Sequence, residues 1–232
     1  MGERVSTGVE GLDEMLRGGL IPGRVYLVKG SPGSGKTTLA FQFLMEGIKK
    51  GERALYITFE EPASFLREDM RKFGFEIDSP LLKIIDATPV GKNKTIFNMI
   101  PYEDFAKSFD KLISGIEEEL KSRNYRRIAI DPITMIRLTV RDELEYRRAF
   151  IEFLKEISEH GATVLLTSEL SQNEIEEYLA SGVIEMRKIE RGEKLLRGIR
   201  ITKFRGSDFD ETMRPYRITD RGIVVYPNEP LF

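Results

Sequence analysis

Eight consecutive residues, Gly30-Ser31-Pro32-Gly33-Ser34-Gly35-Lys36-Thr37, constrain this chain more than any other stretch. Two glycines, a lysine and a hydroxyl residue stand at the spacing of a phosphate-binding loop, which needs a buried strand before it and a helix after it. Both flanks are present. Arg24 to Lys29 form a short apolar run suited to a core strand, and Phe41, Leu44, Met45 and Ile48 recur at helical spacing beyond the loop.

The ligand explains the residue types. Glycines at 30, 33 and 35 accept positive φ and let successive N–H groups converge on one anion. The helix opening near Lys36 adds the positive end of its dipole. Lys36 supplies a point charge for the β- and γ-phosphates, the Thr37 hydroxyl a ligand for Mg²⁺, and Thr38 is expected on the α-phosphate side. Gly30, Ser31, Pro32, Gly33, Ser34, Gly35, Lys36, Thr37 and Thr38 are therefore the expected nucleotide-binding set, for ATP or ADP with Mg²⁺.

At 232 residues the chain is long enough for one α/β domain built on a large sheet. Its 36 basic and 38 acidic residues leave a net charge of −2, which gives no general attraction to nucleic acid or anionic lipid. With no cysteine, disulfides, thiolate metal sites and cysteine nucleophiles are excluded, and the single His160 leaves no histidine-based zinc site. The amino terminus has no signal-peptide character and no apolar run reaches membrane-spanning length, so the expectation is a cytoplasmic protein with no membrane contact.

Along the chain, residues 1–23 read as a lead-in, 24–190 as the nucleotide-binding core and 191–232 as antiparallel strands. Arg53 to Phe59 reads as a second core strand that ends in Glu60-Glu61-Pro62. Ligands of such sheets sit beyond the carboxyl ends of the strands, so these glutamates are expected at the bound phosphates rather than as a cap on the helix of residues 63–73. Leu82 to Asp86 is a further strand, followed by a long loop from Thr88 to Pro101. Phe105, Phe109, Leu112, Ile113, Ile116 and Leu120 form a core stripe on a helix, as do Tyr146, Phe150, Phe153, Leu154 and Ile157. The strand Arg126 to Asp131 ends in the expected Mg²⁺-side carboxylate, Asp131, acting through a coordinated water. Thr167, Ser168 and Glu169, ending the strand from Ala162, are candidates for sensing the γ-phosphate. From Val183 onward the alternation reads as antiparallel strands, Val183 to Ile189, Ile199 to Arg205, Tyr216 to Thr219 and Ile223 to Tyr226.

Ser6-Thr7-Gly8-Val9-Glu10-Gly11-Leu12-Asp13, Gly18-Gly19 and Pro22-Gly23-Arg24 resemble the opening of the KaiC-like branch of the RecA superfamily. The resemblance extends to about Tyr226. It implies a RecA-like core, a catalytic role for Glu60 and Glu61 in polarising the attacking water, and assembly into a ring, a hexamer, with sites between subunits. Lys203-Phe204-Arg205-Gly206 matches the family's Lys-x-Arg-Gly strand end, which implies that Lys203 and Arg205 reach the adjacent subunit's γ-phosphate as an arginine finger does. The chain departs from the family twice: Pro132 replaces a serine after Asp131, and Ser207-Asp208-Phe209 lacks the usual histidine.

Three functions fit these residues. One is a ring ATPase with a regulatory role on a protein partner. A second is a recombinase-like DNA-binding ATPase, for which Arg137 and Arg141 are the candidate contacts. Glu169, Glu174, Glu176 and Glu177 would repel phosphates at the second expected DNA loop. The third is a nucleotide-sensing module with little turnover, or one that phosphorylates itself.

Overall fold

The computed structural model describes residues 2–88, 105–137, 142–169 and 174–231. Nine strands lie among them: β1 (Val25–Gly30), β2 (Ala54–Thr58), β3 (Leu82–Asp86), β4 (Arg127–Asp131), β5 (Thr163–Ser168), β6 (Gly182–Arg191), β7 (Lys194–Phe204), β8 (Arg214–Thr219) and β9 (Gly222–Val225). They pair in the order β3-β2-β4-β5-β1-β6-β7-β8-β9. From β3 to β6 the neighbours are parallel, and from β6 to β9 they are antiparallel.

The reading of Val183 to Ile189 as an antiparallel strand holds on its β7 side and is corrected on the other, where the strand pairs parallel with β1 from Tyr26↔Gly182 to Gly30↔Met186. The alternating polarity belongs to the exposed second half of β6, whereas Gly182 to Met186 are all buried. A crossover through helix α7 (Glu174–Leu179) delivers the chain to β6 in the parallel sense.

The other helices are α1 (Glu10–Met15), α2 (Lys36–Lys49), α3 (Ala63–Lys72), α4 (Phe105–Ser122), α5 (Thr134–Arg137) and α6 (Glu143–Glu159). Because strand side chains alternate, Tyr26 and Val28 of β1 join one core layer with α1, α2 and α3, while Val25 and Leu27 join a second with α4 and α6. The stripe on α6 packs as its spacing predicts, with Tyr146, Phe150, Phe153 and Ile157 buried. Ile116 and Leu120 of α4 are buried too, while the side chains of Phe105, Phe109, Leu112 and Ile113 lie outside the described set. All but the first residue of the expected loop Thr88 to Pro101 lies outside the described residues, as does Arg141.

Helix α2 is more enclosed than its apolar spacing predicts, since every residue from Thr38 to Met45 is buried. A helix covered on all sides is a core helix. Its outer side is closed by the β8–β9 hairpin, where the Gln42 side chain donates to Ile223 O (3.1 Å) and accepts from Ile223 N. The amino-terminal segment completes the cover. Gly8, at φ +76°, passes so close that a Cβ there would lie 2.6 Å from Gln42 O.

The Thr-Gly and Leu-Asp pairs near the amino terminus act in this packing. Asp13 accepts from Ser6 Oγ (2.6 Å), Thr7 N (2.8 Å) and Thr7 Oγ1 (2.6 Å), which closes the turn before α1. Arg127, 1% exposed, donates to Ser6 O (2.6 Å) and Phe43 O (2.8 Å) and pairs with Glu52. One buried guanidinium thus ties the amino-terminal segment, α2 and β4 together, with its charge met by Glu52.

Candidate nucleotide site

The loop from Gly30 to Gly35 leaves the carboxyl end of β1 and enters α2. Gly33 and Gly35 take φ of +72° and +98°, a region that favours glycine. Gly30 is needed for space, because a Cβ there would meet Ser34 Oγ at 2.5 Å and Met186 O at 2.8 Å. Lys36 Nζ folds onto its own loop, donating to Gly30 O (2.8 Å) and more weakly to Ser31 O (3.4 Å). Burial lowers the Lys36 pKa, and the fields of Asp131, Glu169 and Glu60 work against that shift.

Asp131 is 8% exposed and stands at the end of β4, with Thr58 of β2 opposite it in register. Its Oδ2 accepts from Thr37 Oγ1 at 2.7 Å and from the Tyr56 hydroxyl, and its Oδ1 accepts from Thr167 Oγ1. Hydroxyls from α2, β2 and β5 therefore surround this carboxylate, although Pro132 supplies none. Tyr56 lies on the same strand face as Thr58, which is the only local sign of its role.

Glu60 and Glu61 follow β2 at the same carboxyl end of the sheet. Thr58 Oγ1 donates to Glu61 O (2.6 Å) and Glu61 N donates back to Thr58 Oγ1 (3.3 Å), so the turn is closed by backbone and threonine and both carboxylates are left for other work. The first N–H of α3, on Ala63, is met instead by Asp86 Oδ2 at 2.9 Å. Glu60 is exposed and acts on Lys36 through its charge. Burial, followed by the charges of Asp69, Asp131 and Glu60, raises the Glu61 pKa.

The expected trio at the end of β5 does not act together. Thr167 is committed to Asp131 and Ser168 is fully buried, whereas Glu169 is exposed and contributes to the field at Lys36. The acidic segment near α7 also differs from the expected repulsive surface. Glu176 is fully buried and accepts from the Tyr146 hydroxyl (2.6 Å), and Glu177 pairs with Lys29 (2.7 Å). Arg137, a candidate nucleic-acid contact, lies 3.6 Å from Glu176 Oε2.

Lys203 and Arg205 lie at the opposite end of the strands from the phosphate loop. Antiparallel pairing puts Phe204 opposite Gly182, at the start of β6, while the phosphate loop begins beside Met186. Four strand residues separate the two levels by roughly 13 Å. Lys203 Nζ donates to Glu177 O (2.6 Å) and Tyr178 O (2.7 Å), and Arg205 donates to Tyr178 O (2.7 Å). Burial and the neighbouring Arg205 lower the Lys203 pKa.

Two further residues border the loop without a signal in the local sequence. Tyr216 of β8 donates its hydroxyl to Ser34 O (2.6 Å), and burial pushes its pKa up to about 12. Lys188 of β6 brings its Nζ to 3.6 Å from where a Gly33 Cβ would be.

These residues fit a magnesium nucleotide. Among the described residues, the loop offers a glycine cradle that a Cβ would fill, a lysine held by main-chain carbonyls, and a buried Ser34 Oγ without a hydrogen-bond partner. Thr37 and Asp131 are already adjacent. Among the described residues no three His, Cys, Asp or Glu side chains group to hold a metal, so a cation between Thr37 and Asp131 would complete its ligands with phosphate oxygens.

Fold and site together define a P-loop nucleotide-binding domain, with a mostly parallel sheet and carboxyl-terminal antiparallel strands. The family model described as the KaiC ATPase matches residues 5–230. The chain is 32% identical to circadian clock protein KaiC3 of Synechocystis, with 97% of this chain and 46% of that protein aligned. It is 31% identical to a UPF0273 protein of Thermotoga maritima, covering 98% and 97% of the two chains. It therefore spans about half the length of the clock relative and nearly all of the UPF0273 relative. The crystal structure of KaiC-like protein PH0186 from Pyrococcus horikoshii superposes with a TM-score of 0.82 at 32% identity, over 97% of this chain and 99% of that one. The chain belongs to the KaiC ATPase family.

Proposed function

We propose that this KaiC-family domain is an Mg²⁺-dependent ATPase that assembles as a ring, a hexamer on the family resemblance, with each site shared by two protomers. The observation that carries this is the placement of Lys203 and Arg205 at the amino-terminal end of the parallel strands, the end of the sheet opposite their own phosphate loop. Cations at one end of the sheet and phosphate-binding groups at the other suit a head-to-tail contact, the kind that builds a ring where the rotation between neighbours closes.

In the proposed mechanism Lys36 exchanges the carbonyls of Gly30 and Ser31 for the β- and γ-phosphates. Thr37 and Asp131 are the residues that would hold a Mg²⁺ beside them, and its charge would neutralise negative charge on the phosphate oxygens. Glu61 or Glu60 orients the attacking water and accepts its hydrogen bond. Lys203 and Arg205 of the adjacent protomer stabilise the charge spreading over the γ-phosphate. We place the protein in the cytoplasm, acting on a protein partner. No helix among the described residues is long and apolar enough to cross a membrane.

Light-scattering mass measured with and without Mg·ATP, with phosphate release recorded on the same samples, tests the proposal. A ring that forms or tightens with ATP and releases phosphate supports it. A monomer that binds ATP without turnover removes the roles of Lys203 and Arg205. Mixing Arg205→Ala with Glu60→Ala/Glu61→Ala supplies the finer test: turnover recovered in the mixture supports shared sites, and none at any ratio opposes them.

A further inference from the structure

Helix α7 touches both ends of the proposed catalytic arrangement through three consecutive residues. Glu176 accepts from Tyr146 and faces Arg137, the last residue of α5, which follows Asp131 in the chain. The Glu177 carboxylate pairs with Lys29 at 2.7 Å, immediately before the first glycine of the phosphate loop. The main-chain oxygens of Glu177 and Tyr178 receive Lys203 and Arg205. Arg205 N donates to Ser181 O (2.7 Å), so backbone and side chain are both tied to the end of the α7 segment. Tyr178, 63% exposed, has Arg147 over its ring at 5.3 Å and Lys203 and Arg205 at 6.0 Å.

We infer that Glu177 is a positioning residue that sets Lys203 and Arg205 of a protomer in register with that protomer's own phosphate loop, so that the state of one site adjusts the cations offered to the next. The ion pair between Lys29 and Glu177 is partly buried, with the two side chains 14% and 33% exposed, so water screens it less than a surface pair. If Lys203 and Arg205 only capped the end of a short helix, their main-chain contacts would suffice and the Glu177 carboxylate would be dispensable. The coupling rests on the shared-site reading. The holding of Lys203 by α7 does not.

Two experiments separate these claims. In nucleotide-free protein, the rate at which acetic anhydride acetylates Lys203 is followed by mass spectrometry. Glu177→Gln is expected to raise it several-fold, with Glu177→Asp closer to the wild type. An unchanged rate in a folded Glu177→Gln protein overturns the inference whatever the ATPase does.

In the mixture described above, only a site from the Arg205→Ala chain with cations from the Glu60→Ala/Glu61→Ala chain is complete. Glu177→Gln placed on the cation-donating chain is expected to lower turnover several-fold, and on the site-donating chain to leave it as it was. Lys29→Gln on the cation-donating chain, whose own site is already disabled, is expected to match the first result. Equal losses on either chain, or none, overturn the inference. If the parent mixture shows no turnover, the shared-site reading fails and the acetylation result alone decides whether Glu177 positions Lys203.

Discussion

Lys36 is held at rest by two carbonyls of its own loop, contacts that a phosphate can replace. Charge-assisted hydrogen bonds of this type are worth about 1.5–3 kcal/mol each, so Lys36→Ala is expected to weaken ATP binding roughly 10- to 100-fold by isothermal titration. Unchanged affinity would refute the site. Glu61 gives a prediction in pH. Its carboxyl is raised above 4.5 by burial and then by Asp69, Asp131 and Glu60, and only the ionised form can accept a hydrogen bond from water through both oxygens. Turnover should therefore rise with pH through a limb above 4.5, and Glu61→Gln should remove the limb with a loss on the order of 10²-fold. A limb that persists in Glu61→Gln assigns it to another group.

At the scale of elements, the β8–β9 hairpin ties the end of the chain to the phosphate loop. It joins β7 by only Gly198↔Pro215 and Ile199↔Arg214, leaving it to cover α2 and press Ile218 towards Gly35. The Tyr216 hydroxyl then donates to Ser34 O in the loop. Tyr216→Phe keeps the ring packing and removes one buried hydrogen bond. A loss of about 1 kcal/mol in urea unfolding is expected, with ATP affinity lowered about five-fold because the loop is less well held. A stability loss with unaltered affinity would limit the hairpin to packing.

Across the whole molecule, acid stability follows from carboxylates held by hydrogen bonds. Burial works to raise Glu185, Glu119, Asp86 and Asp210, but bonds from Arg200 and Arg187, from Lys83 and Tyr125, from Thr88 and Ala63 N, and from Thr212 and Arg214 outweigh it and lower all four. A lowered folded pKa contributes stability that is present above the ordinary values of 4.5 and 3.8 and is lost as pH falls through the folded value. Glu61 has the opposite sign: its contribution is complete below 4.5 and is lost as pH rises through its folded value. With four groups against one among the described residues, the urea midpoint should fall as pH drops from about 5 to 3, and Glu185→Gln should flatten that fall. A midpoint that stays level over this range would contradict the balance.

The phosphate loop, the strand before it and the helix after it were legible in the sequence because each depends on neighbours in the chain. A glycine at positive φ, a two-residue alternation and a helical stripe are local properties, and they sufficed for the α/β class and for the core stripe of α6. The amino-terminal motif and Lys203-Phe204-Arg205-Gly206 were legible as a family resemblance, but neither showed what its residues touch. Only the tertiary structure brought the Thr37, Tyr56 and Thr167 hydroxyls to Asp131, because strands distant in sequence set that register. It also set β6 parallel to β1 and buried Glu176, whose surroundings come from α6 and α5. The separation of Lys203 and Arg205 from their own loop was decided in the same way. Strand direction is a property of the assembled sheet, and a strand's sequence alone does not specify which edge its end will reach.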